Sequence, residues 1–135
     1  MPDLTLAGYP ANTYQRNDLF TASPVRLVVR VLAGAITALD RCEQARGHSG
    51  SNQFRRELNR ARGLVSELFG ALDKEAGGEV AVRLEALYEY ILTQLLGASA
   101  APNSSQLHLA GELLTKIREG FDVVLEADIE RKQLS

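Results

Sequence analysis

Phe54, Leu58, Ala61, Val65, Leu68 and Leu72 follow one another at alternating steps of four and three residues. That spacing keeps all six on one side of an α-helix and leaves an apolar seam that another element must cover. Leu107, Ala110, Leu114, Ile117, Phe121 and Val124 repeat the pattern near the other end of the chain. Between them, Val80, Leu84, Leu87, Ile91 and Leu95 form a third stripe, which Tyr88 and Leu92 widen. Before them, Leu27/Val28, Val31/Leu32, Ala35/Ile36, Leu39 and Cys42 form a fourth. This first stripe is wide enough to meet more than one layer of neighbours.

The breaks fall where such helices would end. Ser23-Pro24 reads as a cap followed by a preset first residue, so helix one runs from Pro24 to about Arg46. Gly47-His48-Ser49-Gly50-Ser51-Asn52 is a loop by composition. Helix two then spans Asn52 to Asp73. Gly77-Gly78 breaks the chain, Glu79 sits in a first turn, and helix three runs to about Leu96. Asn103 and Gln106 have capping-box spacing, and helix four frays after Ile129. Each helix is ~30 Å long at 1.5 Å per residue. Connections this short make consecutive helices antiparallel, so the expected fold is all-α, an up-down-up-down bundle of four long helices. Residues 1–20 lack clean periodicity and read as an N-terminal arm, with residues 21–135 as the bundle domain.

Reactive chemistry is sparse. Di-iron bundles need Glu-x-x-His pairs, and neither Glu85 nor Glu89 has a histidine three residues on. A single cysteine, Cys42, lies on an apolar stripe and suits a buried, inert thiol. No metal or cofactor site and no enzymatic activity are expected. His108 has no lysine beside it to suggest a phosphotransfer module, and reads as a solvated first-turn residue. Arg55, Arg56, Arg60 and Arg62 flank a core seam with Glu57 and Glu67 interleaved. The net charge of −2 supplies no field that would draw the chain to nucleic acid. No apolar run approaches the ~20 residues of a membrane span, and the Met1-Pro2-Asp3-Leu4 start does not resemble a secretory leader. A cytoplasmic protein that works by presenting a surface is expected. Tyr88 reads as core and Tyr90 as exposed. Tyr14 reads either as a plug on the bundle or as a partner contact.

Three motifs carry a resemblance to a known family. They are Tyr14-Gln15-Arg16-Asn17; Thr21-Ala22-Ser23-Pro24 leading into Leu27-Val28 and Leu32-Ala33-Gly34-Ala35-Ile36; and Leu72-Asp73 with Gly77-Gly78-Glu79-Val80-Ala81 through Leu84, Leu87-Tyr88 and Tyr90. In order and spacing, residues 12–127 resemble the flagellin-specific export chaperone FliS family. Two positions depart from it: Phe121 stands where a tryptophan is common, and Leu32-Ala33 where a tyrosine or asparagine is frequent. The resemblance implies a chaperone that binds the C-terminal segment of flagellin in the cytoplasm, prevents its premature polymerisation and assists its delivery to the flagellar export gate. Such a bundle must hold more apolar surface than its own core consumes, for an amphipathic guest helix to occupy. The wide face of helix one fits that need. Tyr14, Asn17, Leu27, Val31 and Leu32 are therefore the candidate partner-binding residues, although Val31 and Leu32 read equally well as core. The rival reading is a self-associating four-helix structural protein whose spare surface makes a homodimer.

Overall fold

Four helices account for nearly all of what the computed structural model describes, which is residues 24–46, 52–100 and 104–134. They are α1 (Pro24–Gln44), α2 (Asn52–Gly70), α3 (Lys74–Ala100) and α4 (Ser104–Leu134). Each packs on its neighbours in sequence, and α1 closes the ring against α4. This is the antiparallel bundle that the 4,3 seams demand. The arm at residues 1–20, the cap at Ser23, the loop from Gly47 and the cap at Asn103 all lie outside the described residues.

The seams meet in one core. Leu32, Ala35 and Cys42 of α1, Phe54, Leu58 and Val65 of α2, Tyr88, Ile91 and Leu95 of α3, and Leu107, Ala110 and Leu114 of α4 are all buried. Only part of the α1 stripe is enclosed: Val28, Leu32, Ala35, Leu39 and Cys42 are buried, while Leu27, Val31 and Ile36 stay half-buried. α1 engages both α2 and α4, and more extensively than α3 engages its own neighbours.

Four helix ends differ from the sequence reading. α2 stops at Gly70, and the chain turns through hydrogen bonds from Ala71 N–H to the Glu67 carbonyl (3.0 Å) and Leu72 N–H to the Phe69 carbonyl (3.4 Å). Asp73 then caps a separate helical turn: its carboxylate accepts from Ala76 N–H at 3.1 Å and its carbonyl from Gly77 N–H at 2.8 Å. The break expected at Gly77-Gly78 is a kink inside α3, where Gly78 adopts φ 57°, ψ −134°, backbone that only glycine reaches readily. α3 also continues through Gly97 to Ala100. A side chain at Gly97 would collide with that of Gln106, so this glycine permits close packing of the α3 end on α4. α4 persists to Leu134 because Asp128 pairs with Arg131 at 2.8 Å and Lys132 at 3.7 Å, one turn on. Those two cations also suit the negative end of the helix dipole.

Candidate functional site

Two seam positions escape the core. Val80, at the kinked end of α3, is 49% exposed, and Val124, near the far end of α4, is 42% exposed. In an antiparallel bundle the start of α3 lies beside the end of α4, so both valines stand at the same end. Between them runs an apolar groove of about 480 Å³. Leu84, Ile117 and Phe121 form its floor, and half-buried Leu87 and Leu113 line it further along. Lys116 is the one charged side chain on its lining. Gly120 also lines it, and a Cβ added there would meet nothing within 4 Å. A glycine inside a helix costs ~1 kcal/mol relative to alanine. Nothing in the described chain packs against this one, so its effect is to leave the groove open.

One stretch of surplus apolar surface thus lies between α3 and α4. On α1, Leu32 is fully enclosed (0% exposed) and Leu27 and Val31 are half-buried. Leu32 has no area to offer a partner in this conformation, because α1 is gripped from two sides. Tyr14 and Asn17 lie outside the described residues. The structure therefore brings Leu27 and Val31 to the partly covered face of α1, while the groove residues Leu87, Leu113, Gly120 and Val124 were read only as seam or not singled out. One signal for the groove was present in sequence. Lys116, Gly120 and Val124 recur at steps of four, a row in which a mid-helix glycine precedes the last seam residue.

A second groove, about 360 Å³, separates α1 from α4, and a third, lined mainly by polar residues, separates α2 from α3. Cys42 is buried, its Sγ 3.7 Å from the Phe54 carbonyl. Burial, reinforced by the negative charges of Glu43 and Glu57, pushes its thiol up to about 11. Such a thiol is a poor nucleophile at neutral pH. His108 is exposed and paired with Glu112 at 2.6 Å. Arg55, Arg56 and Arg60 face solvent. Tyr88 is buried in the core and Tyr90 is exposed. Among the described residues no group of three His, Cys, Asp or Glu side chains is placed to hold a metal, and no helix is long and apolar enough to cross a membrane.

The family model described as "Flagellar protein FliS" matches residues 7–128. The chain is 35% identical over 104 residues to the flagellar secretion chaperone FliSB of Pseudomonas aeruginosa, covering 75% of this chain and 80% of that one. It is 26% identical over 108 residues to the flagellar secretion chaperone FliS of Vibrio cholerae, covering 80% of this chain and 79% of the relative. With FliS of Bacillus subtilis it shares 21% identity over 119 residues, 88% of each chain.

Proposed function

The chain belongs to the FliS family and is a flagellar secretion chaperone, and on that premise we propose that the α3/α4 groove is where it holds its cargo, the C-terminal segment of flagellin. The observation that carries this reading is the pair Val80 and Val124. Two periodic seam residues stand exposed beside an apolar floor that no other helix among the described residues covers.

The mechanism is physical and has no covalent step. A guest segment lays its apolar face over Leu84, Leu87, Ile117 and Phe121, the helix-in-groove mode. The guest is disordered when free, so ordering it subtracts from affinity, and the contact surface must be long enough to offset that loss. Covering the guest's apolar face blocks the contacts by which flagellin polymerises. Leu27 and Val31 of α1, both half-buried, remain candidate partner contacts, as do Tyr14 and Asn17, which lie outside the described residues; Leu32 is enclosed in the core. The complex, assembled in the cytoplasm, is then handed to the export gate.

Size-exclusion chromatography with full-length flagellin and with flagellin lacking its C-terminal segment tests the assignment. Co-elution with the first and not the second supports it. Equal co-elution with both contradicts it. A homodimer that excludes flagellin would favour the structural reading instead.

A further inference from the structure

The groove between α1 and α4 has a different character from the one that faces α3. Its floor is apolar, made by Ile36 and Leu39 of α1 and Leu107 of α4. Gly111 lies in that lining, and a Cβ added there would meet nothing within 4 Å. As at Gly120, a residue that weakens the helix leaves a space the described chain does not use. The rim is acidic from both sides: Asp40 and Glu43 on α1, Glu112 and Glu119 on α4. Glu43 lies 3.7 Å from Arg46 and Glu112 pairs with His108. Lys116, shared with the other groove, is the only lysine or arginine on this lining. From Leu107 to Glu119 the groove runs ~18 Å along α4, about three helical turns.

We propose that the α1/α4 groove is a docking site for a cationic amphipathic helix of a partner protein, distinct from the cargo groove on the other flank of α4. Its apolar stripe lies over Gly111 between Leu39 and Leu107, and its basic residues meet Asp40, Glu112 and Glu119. The charge selects the occupant. An anionic guest would add like charge to an acidic rim on which Asp40 and Glu119 face solvent, whereas a lysine-flanked stripe satisfies rim and floor together. The site does not depend on what fills the α3/α4 groove.

The probe is a fluorescein-labelled helical peptide of about fourteen residues, with Leu at i, i+3, i+4 and i+7 spacing and Lys elsewhere. Its control has Glu at every Lys position. Anisotropy should show the Lys peptide binding the full chain, with affinity falling as salt rises, and the Glu peptide failing to bind. The double variant Asp40→Lys, Glu119→Lys alters two exposed side chains and should weaken the Lys peptide about tenfold or more, leaving affinity for the flagellin C-terminal segment unchanged. Gly111→Ala should raise the unfolding midpoint and weaken the Lys peptide. Equal binding of the two peptides, or undiminished binding to the double variant, overturns the proposal. Loss of flagellin binding in the double variant also overturns it, because the groove would then be part of the cargo surface.

Discussion

The Lys74 ammonium lies 2.9 Å from a carboxylate oxygen of Glu85, eleven positions along the chain and on the other side of the kink at Gly78. The pair fastens the capped turn from Asp73 to Gly77 onto the long segment of α3, close to where Val80 and Leu84 begin the cargo groove. Hydrogen bonding and charge attraction from Glu85 raise the pKa of Lys74. Both side chains keep solvent access, so the bond orients the turn more than it stabilises the fold.

Lys74→Met should therefore barely move the unfolding midpoint while speeding amide exchange from Gly77 to Val80. Exchange that is unchanged there would mean the turn is held by the Asp73 cap alone.

Gly78→Ala should act in the opposite way. At φ 57°, ψ −134° an added Cβ is strained whatever space surrounds it, with a cost of about 1–3 kcal/mol. Urea unfolding should show that loss. A neutral substitution would mean the kink relaxes freely.

Gly120→Ala separates stability from binding. The free chain should gain up to ~1 kcal/mol, because alanine favours helix and its methyl meets open space. Affinity for the flagellin segment should fall, because that space is the groove. A variant improved in both respects would show that the guest does not approach α4 at this point.

Leu32→Ala should cost ~2–5 kcal/mol, as for a fully buried leucine. Its flagellin affinity, measured where the variant is still folded, should stay close to that of the parent. The reverse pattern, intact stability with lost binding, would return Leu32 to the partner surface.

Alkali should weaken the fold through Cys42. Folded, the thiol keeps its proton up to about 11, against 9.0 unperturbed. The native state therefore binds the extra proton between those values. The stabilisation is complete below pH 9 and is lost as pH rises towards 11. Burial shifts the Tyr88 hydroxyl upward as well, adding to the same trend. Cys42→Ala should flatten the fall in stability over this range. Native Cys42 should also resist alkylation at neutral pH and react on unfolding.

Fold class was legible because periodicity reports directly on packing. The α2 seam from Phe54 to Leu68 is buried as spaced, and the glycine pair marks a real kink. Helix ends were less legible where tertiary contacts decide them. Gly97 reads as a turn residue in isolation but lies inside α3, with the end of the Gln106 side chain packed against it. Asp128 prolongs α4 through ion pairs one turn on. The placement of spare surface was the least legible part. Stripe width on α1 suggested excess; there Leu32 is enclosed between two neighbouring helices, while Leu27 and Val31 stay half-buried. Val80 and Val124 fit their seams perfectly by spacing. Only the arrangement of α3 against α4 shows that none of the described residues covers them.

Calorimetric titration of a flagellin C-terminal peptide into the parent chain and into Val124→Glu tests the central claim most directly. Val124 is already exposed, so the variant should fold as before. A carboxylate at the groove mouth should weaken binding tenfold or more, about 1.4 kcal/mol. Parent-like affinity in a folded Val124→Glu chain would contradict the claim that flagellin is held between α3 and α4.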